Sequence, residues 1–362
     1  MGTPGCRLAG ILARDPDSAY HVFALPLPER TLIARIRRQA RLGLSRPLRF
    51  PKSGKTHAVV AGIGDDCAAL RVPKDHEMLV TTDLSLEGVH FRREWHPPES
   101  VGHRCLARGL SDIAAMGGVP VAVFLSLALP ANLSQRWVDG FLSGLLRLAG
   151  QFDAELAGGD TAQSPGGILA DIVVVGSVPQ GKAILRSTAR PGDRIYVSGA
   201  LGGSAAVLDL LYSKRRKRLR PDLNPDHFFP TPQIRLGQIL RERGTASAMI
   251  DISDGFSIDL AHICEESGAG AQIREDLVPK AKIGRAARPV DLRFALHGGE
   301  DYQLQFTAPK GRAVPPVIGR IAIREVGVIT RDKDILLVHP NQLRSKLSPL
   351  GWEHFRKHSP DK

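Results

Sequence analysis

Apolar and polar positions alternate between two periods along the first half of the chain. From Glu99 to Met116 the apolar residues recur at helical spacing, and from Val119 to Leu129 they form a continuous run typical of a buried strand. Ser134 is a good N-cap for a second helix, and two further strands are predicted at residues 155–157 and 168–178. We therefore predict a domain of alternating helices and strands here.

The second half of the chain has a similar pattern after a change in composition at residues 179–182. Its periodicity predicts helices at 205–211, 234–243 and 256–266, and strands at 194–197, 248–250, 302–307, 324–329 and 335–338. We expect an α+β protein with two α/β-layered domains. The boundaries divide it into an irregular extension (1–28), a first domain opened by an amphipathic helix at 29–40 (29–179) and a second domain (180–362).

Length and composition exclude several classes of protein. A chain of 362 residues with 43% hydrophobic residues is expected to form more than one globular core. It has no apolar run of about 18 residues, so no membrane span is predicted. The four cysteines are widely separated, which favours neither a zinc site nor a disulfide framework. A reducing cytoplasm is the expected compartment.

The charge of the chain is strongly basic, with a net charge of +12. Part of it lies in the run from Lys214 to Arg220, within a Pro-rich segment at 214–232 that we predict to be a long exposed loop. Such a run can bind nucleic acid, but aromatic residues are only 5% of the chain and do not interleave with it. We favour a solvated loop, or attraction of anionic substrates, over a nucleic-acid partner.

Acidic residues recur beside Gly, Ser or Thr at the predicted ends of strands and helices. They are Asp65, Asp66, Asp83, Asp112, Asp160, Asp251, Asp254, Glu300 and Asp301. Neighbouring carboxylates repel one another unless cations neutralise them. Oxygen ligands without His or Cys companions indicate Mg²⁺, and a magnesium cluster served by Gly-rich turns suggests a nucleoside triphosphate. Ser53–Thr56 resembles the end of a P-loop, but the Gly that the motif needs is Arg49 here.

Seven segments that contain these acids carry a resemblance to a known family. They are Gly62–Asp66, Thr81–Phe91, Ser111–Gly117, Gly158–Thr161, Arg186–Asp193, Ile250–Gly255 and Gly298–Tyr302. In this order they resemble the bacterial thiamine-monophosphate kinases, within the ATP-binding superfamily of aminoimidazole ribonucleotide synthetase. The resemblance implies two α+β domains of the synthetase-like type, with the N-terminal domains paired in a homodimer.

The resemblance also implies an activity: ATP-dependent phosphorylation of thiamine monophosphate to thiamine diphosphate, by direct in-line transfer without a general base. Several Mg²⁺ ions would be held by Asp66, Thr81, Thr82, Asp83, Asp112, Asp160, Asp251 and Asp254. ATP, the co-substrate, would contact Phe152, Gly159, Asp160, Arg186 and Ser253. Thiamine monophosphate would contact His90, Glu300 and Trp352.

Simpler roles stay open for four of these features. His90 could cap a strand, Trp352 could be a core aromatic residue, Arg186 could form a surface ion pair, and Gly202–Ser204 could be an ordinary helix start instead of an anion site. One departure from the family pattern is Gln303, where an acid is common.

Three alternative functions stay open. A selenophosphate synthetase would need a reactive cysteine in a Gly-rich N-terminal segment, a context that Cys6 lacks. A hydrogenase maturation protein would carry a C-terminal cysteine, whereas this chain ends Ser359–Lys362. A basic nucleic-acid-binding protein is the alternative from a different class.

Overall fold

The computed structural model of the protein describes residues 26–43, 58–63, 66–213, 219–284 and 287–355. The first half contains three helices and six strands among these residues. The helices are α1 (Glu29–Gly43), α2 (Pro98–Ala115) and α3 (Gln135–Gln151). The strands are β1 (Val59–Ala61), β2 (Ala69–Leu70), β3 (His76–Leu86), β4 (Val119–Pro130), β5 (Glu155–Ser164) and β6 (Leu169–Pro179).

Four of these strands form a sheet in the order β3-β6-β4-β5, and α2 and α3 cover one of its faces. The β1–β2 hairpin packs through Val59 and Leu70 on the other face. Ser134 caps α3 as predicted, since its hydroxyl accepts a hydrogen bond from the Trp137 N–H at 3.3 Å.

The second half contains a larger sheet. Its helices are α4 (Gly203–Tyr212), α5 (Pro225–Phe228), α6 (Ile234–Glu242), α7 (Phe256–Glu266) and α8 (Leu292–His297). Its strands are β7 (Arg194–Ser198), β8 (Ala248–Asp251), β9 (Gly270–Arg274), β10 (Lys282–Ile283), β11 (Arg288–Pro289), β12 (Leu304–Ala308), β13 (Val317–Ile318), β14 (Ile321–Thr330), β15 (Ile335–Val338) and β16 (Arg344–Lys346). The main path through the sheet is β16-β15-β9-β14-β7-β12-β8.

The hydrophobic core joins the two halves. One cluster of buried side chains contains Leu110 and Val174 from the first half together with Leu240 and Phe306 from the second. A separate cluster lies between the second sheet and α7. Because the shared cluster buries apolar surface of both halves, it holds α2, which packs on β3, against β8.

The predicted helices are confirmed, and two predicted strand ends are wrong. Asp83 lies inside β3, because pairing with β6 continues without interruption to Leu86. Asp160 lies inside β5, which pairs with β4 as far as Ser164. The site therefore draws on residues within strands as well as on turns.

The predicted exposed loop at 214–232 is wrong in part. It contains α5, whose His227 and Phe228 are buried because their rings pack against each other and against His96. The basic residues 214–218, the P-loop-like Ser53–Thr56 and Asp65 lie outside the described residues. Within the described parts of the chain, no helix combines the length and apolar character needed to cross a membrane. The division at residues 179–180 stays a prediction.

Candidate active site

The candidate site lies where α2 and β3 of the first half meet the end of β8 in the second. Thr81 on β3 donates its hydroxyl hydrogen bond to the Asp112 carboxylate on α2. The preceding residue, Ser111, donates from Oγ to Asp251 Oδ2 at 2.6 Å. Two consecutive residues of α2 therefore tie together acids that are far apart in sequence.

Burial sets the electrostatics of these acids. It raises the pKa of Asp83 to about 6 and, together with the charge of Asp112, raises the pKa of Asp251 to about 7. The pKa values of Asp112 and Asp254 are also raised, first by burial. Carboxylates that resist ionisation in this way favour a bound cation, which relieves their mutual repulsion.

The remaining predicted metal ligands lie around this centre. Asp66 is exposed, and Asp160 Oδ1 accepts a hydrogen bond from the Thr161 N–H at 2.8 Å. Thr82 alternates with Thr81 and Asp83 along β3, so its side chain points to the opposite face. Among the residues described, no three Asp, Glu, His or Cys side chains converge on one metal position. An all-oxygen donor set of separate carboxylates still fits Mg²⁺, which takes one or two carboxylates and completes its shell with phosphates and water.

Glu300 lies between two arginines of α2. Its carboxylate accepts from Arg104 Nη2 at 2.6 Å through Oε2 and from Arg108 Nη2 at 2.7 Å through Oε1. Burial alone would raise the pKa of Glu300, but the two guanidinium charges hold it below its ordinary value. Glu300 is therefore a carboxylate fixed by two cations beside the buried acids.

The backbone around Glu300 is held in an unusual conformation. Glu300 and Tyr302 have φ values of 63° and 49°, a region that costs free energy for residues other than Gly. The Glu300 N–H donates to Ser253 O at 2.7 Å, so this loop lies beside the loop after β8. Such strain persists only where surrounding contacts enforce it.

Asp301 supplies one of those contacts. Its buried carboxylate accepts from the N–H groups of Gly202 at 2.6 Å and Ser204 at 3.5 Å, at the start of α4. Burial raises the pKa of Asp301 to about 7, opposed by these donors. The start of α4 is thus capped by a carboxylate of the chain itself, which favours the ordinary helix start over the anion site.

His90 and Trp352 each lie beside the ring of His354. His90 Nδ1 accepts from the Leu86 N–H at 3.0 Å, as the simple capping role predicts. Burial, assisted by the charge of Arg108, lowers the pKa of His90 to about 4. The His354 ring lies 5.5 Å from the His90 ring and 5.6 Å from the Trp352 ring. Trp352 is 43% exposed, so it is not a core aromatic residue.

The predicted ATP contacts lie on several elements. Gly159 has a φ of 143°, and a Cβ there would lie 1.9 Å from Leu125 O, so only Gly fits. Phe152 follows α3 and packs partly buried against the core. Arg186 is exposed in a short 3₁₀ helix, and no ion pair of Arg186 occurs among the described residues. The Ser253 N–H donates to Asp259 Oδ2 at 3.1 Å.

Sequence reasoning missed three residues of this site. Arg104 and Arg108 precede Asp112 at intervals of four residues, so helical spacing alone could have placed them on the same face. Asp259, in the first turn of α7, accepts from three consecutive backbone N–H groups of the Asp251–Gly255 turn. An acid in a first helical turn was the available signal.

Comparison with known proteins defines the class and then the family. The family model "AIR synthase related protein, N-terminal domain" matches residues 64–178, and the corresponding C-terminal domain model matches residues 190–314. The chain is therefore an AIR synthase-related protein with both domains of that fold.

Closer relatives identify the family. The thiamine-monophosphate kinase of Salmonella typhimurium is 40% identical over 308 residues, which cover 82% of this chain and 92% of that enzyme. A solved thiamine-monophosphate kinase from Stenotrophomonas maltophilia is 33% identical, with a TM-score of 0.71, and covers 84% of this chain and 95% of its own. The structure described as AaThiL complexed with AMPPCP and TMP is 32% identical, with a TM-score of 0.67, and covers 81% and 92%. The chain belongs to the thiamine-monophosphate kinase family.

Proposed function

We propose that this protein transfers the γ-phosphate of ATP to thiamine monophosphate and so forms thiamine diphosphate. The observation that carries this proposal is the 40% identity to a thiamine-monophosphate kinase over 92% of that enzyme. The related structure of AaThiL complexed with AMPPCP and TMP supports the choice of both substrates. Selenophosphate synthesis and hydrogenase maturation are not favoured, because the family match is to the kinases.

The chemistry of the acceptor explains why the proposed reaction needs no general base. A phosphate monoester has its second pKa near about 6, so its oxygens are mostly ionised at neutral pH. His90, whose pKa is lowered to about 4 by burial and by Arg108, has its Nδ1 engaged by the Leu86 N–H. His90 is then a substrate contact, as the family resemblance implies.

The obstacle to transfer is repulsion between two anions. Two unit charges 4 Å apart cost about 4 kcal/mol at an effective dielectric constant of 20. The acidic residues of the site would hold magnesium ions, which would supply positive charge against the phosphates. The residues proposed to hold these ions are Asp66, Thr81, Asp83, Asp112, Asp160, Asp251 and Asp254, and the raised pKa values of Asp83 and Asp251 support that role. Thr82, which the family resemblance also implies, is left out because its side chain points to the opposite face of β3.

The two substrates are proposed to reach this centre from different elements. ATP would contact Phe152, Gly159, Arg186 and Ser253. Burial raises the pKa values of Asp112 and Asp251, and the charge of Arg186 opposes that rise, which supports a place for Arg186 near the acids. His90, Glu300 and Trp352 would receive thiamine monophosphate. The exposed Trp352 ring suits the cationic thiazolium, since aromatic faces attract cations.

An acceptor panel tests the proposed activity. ADP release is measured with Mg²⁺ and ATP in the presence of thiamine monophosphate, thiamine, pyridoxal phosphate or no acceptor. We expect rapid release with thiamine monophosphate alone. Equal release with thiamine, or release that is independent of any acceptor, contradicts the proposal.

The assembly is proposed to be a homodimer in the cytoplasm. Met78, Val80 and Leu84 alternate along β3 on the face of the sheet opposite α2, and they are 45%, 61% and 47% exposed. An apolar stripe of this kind on a sheet face is typical of an interface.

Nucleic-acid binding is the less favoured role for the net charge of +12. It predicts an affinity for nucleic acid that falls steeply with salt.

A further inference from the structure

Three charged side chains form a stripe along one face of α2. Arg104, Arg108 and Asp112 follow one another at intervals of four residues, which places successive members about 6 Å apart along the helix. Arg104 and Arg108 both bind Glu300, whereas Asp112 belongs to the buried acids. Arg108 therefore stands between the proposed thiamine-phosphate contacts and the proposed metal ligands.

The two arginines differ in how their donors are used. Arg104 donates to His227 O at 2.5 Å, to Glu300 at 2.6 Å and to His90 O at 3.5 Å, and its side chain is 5% exposed. Arg108 donates to Glu300 at 2.7 Å and to Leu84 O at 3.2 Å, and its side chain is 11% exposed. A guanidinium has five N–H donors. Within the described part of the chain, Arg108 thus keeps donors that a ligand can use.

Arg108 also lines a small cleft. Ser85, His90, Phe91, Val101 and Arg104 complete the lining. Burial lowers the pKa of His90, and Arg108 adds to that effect.

We propose that Arg108 binds the phosphate of the acceptor, as a further substrate-binding residue that the family resemblance did not assign. This proposal rests on the proposed function. An arginine offers a planar pair of donors that matches phosphate oxygens, and it remains charged at any working pH. Glu300 holds the guanidinium in place, and Arg104 is a positioning residue that holds Glu300.

The competing explanation is that Arg108 only supports Glu300. The two explanations differ for a ligand that lacks the phosphate. If Arg108 binds the phosphate, its loss weakens binding of thiamine monophosphate and leaves binding of thiamine nearly unchanged. If it only supports Glu300, its loss weakens binding of both ligands to the same degree.

Calorimetric titration of thiamine monophosphate and thiamine into the full-length protein separates these outcomes. We compare the wild type with Arg108→Met, Arg108→Lys and the control Arg147→Met, an exposed arginine of α3. For Arg108→Met we expect Kd for thiamine monophosphate to rise by about tenfold or more, as loss of a charge-assisted hydrogen bond predicts. Kd for thiamine should change much less, because Arg104 still pairs with Glu300 and holds it in place, and Arg147→Met should change neither.

The lysine variant keeps the test decisive if the methionine variant unfolds, because Lys retains the charge but lacks the paired donors. Arg108→Lys should weaken the binding of thiamine monophosphate but not that of thiamine, and by a smaller factor than Arg108→Met does. Parallel weakening of both ligands, or unchanged binding of both, overturns the proposal. Failure of the wild type to phosphorylate thiamine monophosphate in the acceptor panel refutes the proposed function instead, and that result is independent of the Arg108 variants.

Discussion

At the scale of single residues, burial is the main cause of the raised pKa values among the acids of the site. Asp251 is 2% exposed, and its pKa is raised to about 7 by burial and by the charge of Asp112. The same burial makes Glu300 dependent on Arg104 and Arg108, because an unpaired charge there would be costly. Glu300 is therefore neutralised by two arginines of α2, whereas Asp83, Asp112 and Asp251 are buried acids whose pKa values are raised.

Asp83→Asn should abolish turnover and change the pH dependence of stability. Burial raises the folded-state pKa of Asp83 from 3.8 to about 6. Its stabilising contribution is therefore fully present below pH 3.8 and is lost as the pH rises through 6. The neutral Asn does not lose stability in this way, so in EDTA the Tm of the variant should rise relative to the wild type between pH 4 and about 6 and level off above that.

Thermal unfolding of both proteins across this pH range, with an activity assay in Mg²⁺, checks this prediction. Circular dichroism provides the control that the variant is folded. A Tm difference that stays constant with pH, or full activity of the variant, would count against the role assigned to Asp83.

Gln305→Met should stabilise the protein. Gln305 is fully buried in β12, and neither its amide nitrogen nor its amide oxygen has a hydrogen-bond partner among the described residues. Replacing it with an apolar side chain of similar shape removes that desolvation cost, with an expected gain of about 1 to 2 kcal/mol. Urea unfolding measures the change.

Thr307→Val is the matched control, two residues along the same strand. Thr307 Oγ1 accepts from the Ala248 N–H at 3.0 Å and contacts Ser247 Oγ at 2.7 Å, so this variant should lose about 1 kcal/mol. A loss of stability in Gln305→Met would contradict the desolvation cost assigned to the Gln305 amide.

The sequence predicted the acids of the site better than their partners. Asp112 and Asp254 lie in local motifs that the residues themselves reveal. The Glu300–Arg108 pair joins residues 192 positions apart, and only the packing of the two halves determines it. Burial of His227 was missed for the same reason, since the ring of His96 comes from the other half.

At the scale of elements, the contact between α2 and α3 positions the charged stripe of α2. Gly102 of α2 lies against α3, where a Cβ would be 1.9 Å from Phe141 O. Gly144 of α3 lies against α2, where a Cβ would be 1.9 Å from Glu99 O. The two helices therefore approach backbone to backbone, a distance that only Gly permits.

Gly144→Ala should destabilise the protein by about 2 kcal/mol or more, because the new methyl group overlaps a backbone carbonyl. Gly150→Ala, in the same helix, is the matched control. A Cβ at Gly150 meets no atom within 4 Å, so this variant should gain about 0.5 to 1 kcal/mol from helix propensity. Equal effects of the two substitutions in chemical denaturation would contradict the close helix contact.

Elements were predictable where their signals are local. The helix at Phe256–Glu266 and the strand at Ile335–Val338 have the predicted bounds. The continuation of β3 through Asp83 to Leu86 was not predictable, because pairing with β6 decides where that strand ends. Polar residues inside a strand depend on their neighbours in the sheet rather than on their own propensity.

At the scale of the whole molecule, the alternating pattern correctly predicted two mixed α and β halves, but it gave no sign of their shared core. Leu240 and Phe306 pack into the same cluster as Leu110. That contact brings Ser111 to Asp251 and so assembles the site between the halves. The site is thus a property of the packed pair of domains.

Val80→Arg should convert the proposed dimer to a monomer. Val80 is 61% exposed in the centre of the apolar stripe on β3, and a charge there would be buried in the interface. Leu343→Arg is the matched control, since Leu343 is 65% exposed in the second half. Light scattering coupled to gel filtration should give twice the chain mass for the wild type and the control, and the chain mass for Val80→Arg. A monomeric wild type refutes the dimer.

Isotopic labelling tests whether the phosphate passes directly from ATP to thiamine monophosphate. The protein is incubated with Mg²⁺ and [γ-³²P]ATP, with and without thiamine monophosphate, then quenched in denaturant. We expect label in the terminal phosphate of thiamine diphosphate and none on the protein in either sample, because the ionised acceptor attacks ATP itself. Labelled protein, or the absence of labelled thiamine diphosphate, would contradict it.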